Sequence, residues 1–163
     1  MKKRFIVMAF ILVAQIMLTA CGSSKYDFDI ETSPMFRYNN LGDSANEIKE
    51  PTPLNKKMEL GDNTMFTYKG ATIDGMEADL IYIIDQDNTF AGGIIYYHPD
   101  DMEAAYKSLV NKCDELYGRT HFFTDSDSVT WKLDDRYVVV IKGSTNGGKL
   151  VYNVCTHSNY ENN

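Results

Sequence analysis

A catalytic reading of this chain would have to begin with His98, His121 and His157, because a nucleophile needs a base and an orienting group close by. Each histidine stands alone in sequence, at an expected strand end or loop, and no Ser-His or Cys-His pattern accompanies any of them. They read as ordinary surface or edge residues. Gly92-Gly93 and Gly147-Gly148 fit a strand pair and a turn, and no Gly-rich phosphate loop is present. The runs Asp85-Gln86-Asp87-Asn88 and Asp125-Ser126-Asp127-Ser128 offer oxygen atoms, but neither carries the late bidentate Glu of a calcium loop. Hairpin turns use the same residues for backbone reasons. Cys113, Cys155 and His157 lack the close paired spacing of a zinc site. The expectation is a chain without metal, cofactor or enzymatic activity.

Two further pairs invite chemistry of a different kind. Cys113 falls on the apolar face of an expected helix and Cys155 in the last expected strand. A disulfide would staple helix to sheet, at about 3 to 4 kcal/mol by chain-entropy reasoning; two separate buried thiols, acting as small hydrophobes, are the other reading. Tyr96 and Tyr97 are neighbours in a strand and must point to opposite faces. One belongs to the core, and the other meets solvent or a partner.

The first residues carry the most specific signal. Lys2, Lys3 and Arg4 precede a run from Phe5 to Ala20 that has no charge, with Gln15 its one strongly polar residue. A basic segment, an apolar segment and a small-residue cleavage site make the layout of an export signal, and the run is short of the roughly twenty residues a spanning helix needs. Leu18-Thr19-Ala20-Cys21 resembles the lipobox of bacterial lipoproteins, in which a peptidase cuts before a cysteine that already carries diacylglycerol. The resemblance implies a leader at 1–20, a lipid attached to Cys21, and a location on the extracytoplasmic face of a cell membrane. Each buried methylene contributes about 0.8 kcal/mol, so two or three acyl chains hold an otherwise soluble body.

Removing residues 1–20 takes three of the 16 Lys and Arg and none of the 23 Asp and Glu, leaving a formal charge near −10. An acidic surface repels nucleic acid and anionic headgroups, so neither is expected as a broad electrostatic partner. The remaining length suits one domain. Residues 21–34 read as a flexible tether, 35–157 as the domain and 158–163 as a frayed polar tail.

The elements that would position these residues follow from periodicity. Asp43 to Glu50 reads as a short helix ended by Pro51 and Pro53. Thr64 to Lys69, Met76 to Ile84 and Thr89 to Tyr97 alternate as strands around turns at Asp74-Gly75 and Asp85 to Asn88. The clearest helix is Asp100 to Tyr117, with an apolar stripe through Met102, Ala105, Tyr106, Leu109, Val110, Cys113, Leu116 and Tyr117, an acidic cap and the stop residue Gly118. Ser128 to Leu133, Arg136 to Lys142 and Lys149 to Thr156 complete the strands. The order helix-β-β-β-helix-β-β-β predicts an α+β, two-layer domain with an antiparallel sheet and its helices on one face.

Phe36 to Glu50, then Ala104-Ala105-Tyr106 through Leu116-Tyr117-Gly118 and Trp131, resemble the helices and strand of small bacterial lipoproteins. Their fold group includes the small outer-membrane assembly lipoprotein and the β-lactamase-inhibitor-like domains. The resemblance implies a binding or scaffolding role toward an envelope protein and carries over no functional residue. The aromatic residues suggest the alternative of a module for a cell-wall glycan or small extracellular ligand.

Overall fold

The computed structural model describes residues 25–32, 34–143 and 148–161. Cys21 and the leader lie outside them. The fold is α+β in two layers: one eight-stranded antiparallel sheet, with the helix α1 (Met102–Tyr117) and a single 3₁₀ turn (Ala45–Glu47) on one of its faces. The strands are β1 (Leu54–Leu60), β2 (Asn63–Ile73), β3 (Met76–Ile84), β4 (Phe90–Tyr97), β5 (Phe123–Thr124), β6 (Ser128–Lys132), β7 (Arg136–Lys142) and β8 (Leu150–Thr156). Their spatial order is β1-β2-β3-β4-β8-β7-β6-β5. Two four-stranded meanders therefore meet along β4 and β8, with α1 as the connection between them.

Alternation explains the helix-side face. Ala78, Leu80, Tyr82 and Ile84 of β3 are all buried there, as are Val138 and Val140 of β7 and Leu150, Tyr152 and Val154 of β8. Strand β2 keeps the pattern through a bulge. Register shifts between Tyr68 and Ala71, where Gly70 takes φ 67°, so Tyr68, Ala71 and Ile73 all reach the core despite their odd spacing. Asp74 and Gly75, at φ 53° and 73°, form the tight turn into β3. Gly93 is required by contact rather than by φ, since a Cβ there would lie 2.5 Å from the ring of Phe36.

Helix α1 buries Ala105, Tyr106, Leu109 and Cys113 against β7 and β8. Each large side chain so removed from water contributes about 1.5 to 3 kcal/mol. Asp101 caps the start, accepting from Ala104 N at 3.1 Å, and Gly118 N closes the end on Asp114 O at 3.0 Å. Trp131 Nε1 donates to Gly118 O at 3.0 Å, tying the helix end to β6.

Four expectations need correction. The tether reading of 21–34 fails from residue 25 onward, because Tyr26, Phe28 and Ile30 are buried in the core. Ser108 Oγ donates to Tyr26 O at 2.7 Å, Asp101 N donates to the Tyr26 hydroxyl at 2.8 Å, and the Phe28 ring meets Tyr97 edge-on at 5.2 Å. The helix expected over 43–50 is reduced to the 3₁₀ turn, because Ala45 N is drawn to Asn88 O and Lys49 N to the Asn39 side chain. Strands β1 and β5 are additional to the six expected. Residues 158–161, expected in the tail, instead belong to a short helix α2 (His157–Glu161), where Tyr160 stacks on Tyr137 with centroids 4.0 Å apart.

Candidate binding face

Among the described residues, no long helix covers the other face of the sheet. Its composition is fixed by register: one row across the strands runs Lys56, Thr67, Ile81, Ile94, Asn153, Val139, Thr130 and Phe123. The next row, two residues along, runs Met58, Met65, Ile83, Gly92, Cys155, Tyr137 and Lys132. Leu60 of β1 and Phe123 of β5 belong to opposite edges of the sheet, yet both line one groove of about 670 Å³. The sheet is therefore curled toward this face, with α1 on its convex side.

The groove is lined chiefly by apolar side chains. Met65, Ile83, Ile94 and Ile141 stay half-exposed along it, while Val139 and Cys155 are buried at its floor. Gly92 keeps that floor low; a Cβ there would come within 3.1 Å of Cys155 Cβ. Leu60 at 65 % and Phe123 at 50 % exposure extend the apolar surface beyond the lips, where Phe122 adds a third exposed side chain. Helix α2 walls one end, with Tyr160 and Asn159 facing in and Asn159 Nδ2 donating to Ala91 O at 3.4 Å. Two buried polar atoms on this face have no partner among the described residues: Asn153 Oδ1 between Ile94 and Val139, and Thr67 Oγ1 beside Ile81. A buried acceptor left unmade costs about 1 to 3 kcal/mol, which a ligand donor at Asn153 would recover.

A smaller concavity of about 240 Å³ continues the face, lined by Thr67, Lys69, Asp79, Ile81, Tyr96 and Lys149. Lys149 Nζ reaches Asp79 at 3.2 Å and lies 5.5 Å from the Tyr96 ring centroid. That ion pair and the Gly70 amide hold the Asp79 carboxyl below its usual range, against the opposing effect of its burial. Lys56 and Lys69, which flank Thr67, form no ion pair among the described residues.

Of the tyrosine pair, Tyr96 is on this face and half-buried, whereas Tyr97 is a core residue whose hydroxyl donates to Asp74 Oδ2 at 2.8 Å. Tyr97 is thereby removed as a contact residue. The cysteines are free. Cys113 belongs to the helix-side core and Cys155 to the groove floor, so the sheet itself separates them and the disulfide is excluded by strand alternation. Burial pushes the Cys155 thiol up to about 11.

The histidines do not converge. His121 Nε2 is 2.7 Å from Asp114 Oδ1, His157 Nε2 is 2.9 Å from Leu133 O, and His98 is 3.7 Å from Asp79. Asp85 accepts from Asp87 N and Thr89 N, and Asp125 from Asp127 N and Ser128 N, so both acidic runs are turns held by their own backbones. Among the described residues no group of three His, Cys, Asp or Glu side chains is placed to hold a metal, and no helix is long and apolar enough to cross a membrane.

A second cavity of about 380 Å³ lies on the helix side, under the N-terminal segment. Two of its charged side chains, Arg37 and Asp74, are already engaged. Arg37 Nε donates to Glu50 Oε2 at 2.8 Å, Glu50 also accepts from the Tyr82 hydroxyl at 3.0 Å, and Asp74 is held by Tyr97 and by Asp29 N. The curled face, with its unsatisfied atoms and exposed lips, is the better candidate. No known protein family, curated protein or solved structure matches this chain.

Proposed function

We propose that this chain is a lipoprotein, held by Cys21 on the extracytoplasmic face of a cell membrane, that acts without catalysis by binding an apolar segment of an envelope protein in its curled sheet face. The observation that carries the reading is the apolar groove with a buried, unpartnered acceptor at its centre. The leader and lipobox support the location. The exposed lips at Leu60, Phe122 and Phe123 favour a macromolecular occupant, because a small ligand seated in the groove would leave them wet. Charge narrows the partner further. The body is acidic overall, yet Lys56 and Lys69, on either side of Thr67, form no ion pair among the described residues, so the fitting segment carries acidic residues next to apolar ones. A second copy meeting it groove to groove would oppose lysine to lysine.

The test is site-specific photocrosslinking in cells. A photoreactive residue at Ile81 or Ile94 should capture a discrete partner, one at the exposed Asn111 of α1 should not, and Lys69→Glu should weaken the capture. Equal capture from both faces, unaffected by Lys69→Glu, would sink the reading. The concavity around Tyr96 and Lys149 favours a second reading, a glycan or small anionic ligand. That ligand would raise the melting temperature of the isolated domain by mass action, whereas soluble sugars leave a dedicated protein binder unchanged.

A further inference from the structure

Strand β1 is an edge of the sheet, and among the described residues no strand pairs with its outer side. Which of its backbone groups stand free follows from the turn that joins it to β2. Gly61 and Asp62 are a two-residue loop, so the closing pair Leu60 and Asn63 exchanges both of its backbone hydrogen bonds. Alternation gives Met58 the same arrangement with Met65, and Lys56 with Thr67. Lys57 and Glu59 fall between them, so their N–H and C=O groups point outward from the sheet edge. Their side chains are exposed on the helix side, where Lys57 Nζ is 3.7 Å from Glu59 Oε1 and 5.8 Å from the Phe66 ring centroid.

We propose that a second copy of this chain adds at β1, antiparallel about a twofold axis at Met58, so that one sheet runs through both copies. A twofold contact sets the same edge against itself, and the outward backbone groups of Lys57 and Glu59 are those it has to match. Charge selects the register. Centred on Lys57, the pair would set lysine against lysine; centred on Glu59, it would set glutamate against glutamate, and like charges directly opposite repel. A centre between two residues would pair an outward backbone with an inward one. Centred on Met58, Lys57 of each copy faces Glu59 of the other in a hydrogen-bonded pair, and Met58 meets Met58 between them. Leu60, 65 % exposed, then lies against the aliphatic stem of Lys56 from the second copy. The charges that bar this edge to strands in general thus leave one pairing open. Val139 and Cys155, at the floor of the groove, belong to β7 and β8, well inside the sheet, so a copy added at β1 leaves them uncovered.

The experiment is oxidation of the full chain with one cysteine added on β1. Partners in a non-hydrogen-bonded pair lie about 4.5 Å apart at Cα, within the reach of a disulfide, so Met58→Cys should link two copies. Lys57→Cys should not, because its two cysteines would be displaced by about 7 Å along the strands. Cys113 and Cys155 are buried, and the unsubstituted chain controls for Cys21. Charge supplies the second measurement. In the Met58→Cys background, Lys57→Glu and Glu59→Lys should each lose most of the link, while an equimolar mixture of the two should form the mixed disulfide, since an acidic edge then meets a basic one. Both side chains are exposed, so neither change disturbs the core. Absence of a link from Met58→Cys, an equal link from Lys57→Cys, or a mixture that links no better than its components would overturn the proposal.

Discussion

Asp74 and the Arg37–Glu50 pair are ionised side chains held largely away from water. Burial raises the Asp74 carboxyl above its ordinary value of 3.8, only partly offset by the Tyr97 hydroxyl and the Asp29 amide. An acid whose folded pKa is raised binds its proton more tightly in the native state, so stability falls as pH rises from the unfolded value through the raised one. Asp74→Asn keeps Oδ1 as acceptor for the Asp29 amide, turns its own amide N–H to the Tyr97 hydroxyl, which then accepts instead of donating, and tolerates the left-handed turn conformation, so it should equal or exceed the wild type in urea midpoint at pH 7. Its advantage should disappear at pH 3, where the wild-type carboxyl is protonated; a variant less stable at both pH values would refute the assignment. Glu50 is balanced by a cation instead. Its side chain is 1 % exposed and Arg37 supplies its counter-charge, so Arg37→Met strands a buried carboxylate and should cost about 3 to 5 kcal/mol by urea unfolding. Neither role was legible in the sequence, where Asp74 reads simply as turn chemistry and Arg37 and Glu50 are thirteen residues apart with nothing to couple them. The cysteines show the same limit from the other side. Parity of position within β8 decides that Cys155 faces away from Cys113, and parity can be read only once Val154 is known to face the helix. Both thiols should therefore resist alkylation at pH 8 in the native protein and react once it is unfolded in urea, with no mass change on reduction beforehand.

Elements were legible in proportion to the burial that patterned them. α1 and the strands β3, β4, β7 and β8 alternate or repeat because one face of each is packed against the core, and the turns at Asp74-Gly75 and Asp85 to Asn88 declare themselves by residue type. β1 has the sequence Leu-Asn-Lys-Lys-Met-Glu-Leu and is exposed along most of its length. An edge strand without a buried side leaves no alternation to read, and its charges are those that guard a sheet edge. The segment at 26–30 was missed for a different reason. Tyr26, Phe28 and Ile30 do alternate with Asp27, Asp29 and Glu31, but the pattern is short and follows directly on a polar stretch. Its packing makes a sharp prediction. Phe28→Ala should cost about 3 to 5 kcal/mol, as for any core phenylalanine, whereas a tether residue would be neutral in the same urea titration. Gly93→Ala forces a methyl into the Phe36 ring and should cost about 1 to 3 kcal/mol. Because the two residues touch, Phe36→Leu should recover part of that loss in the double variant, a non-additivity that distant sites do not show.

At the scale of the whole molecule, the distinction that matters is between the two faces of one sheet. Composition and period place the helices on one side, yet they do not say that the sheet curls; the strand order puts β1 and β5 at opposite edges, and the curl is seen where Leu60 and Phe123 line one groove. A sheet whose second face were merely solvated would carry polar residues at Ile81, Ile83, Ile94 and Ile141. The apolar residues there contribute little to the core on the helix side, and they leave a surface that water wets poorly. The chain carrying Cys21→Ser should therefore bind a hydrophobic fluorophore such as anilinonaphthalene sulfonate in its native state, without the loss of near-ultraviolet circular dichroism that marks a molten globule. Ile83→Glu combined with Ile94→Glu should abolish that binding while leaving cooperative unfolding intact. Substitution of Leu109, on the other face, should do the reverse, lowering stability by about 2 to 5 kcal/mol and increasing dye binding as the core loosens. If the groove variants instead unfolded the protein as readily as Leu109→Ala does, the curled face would be a second core rather than a surface kept open for a partner.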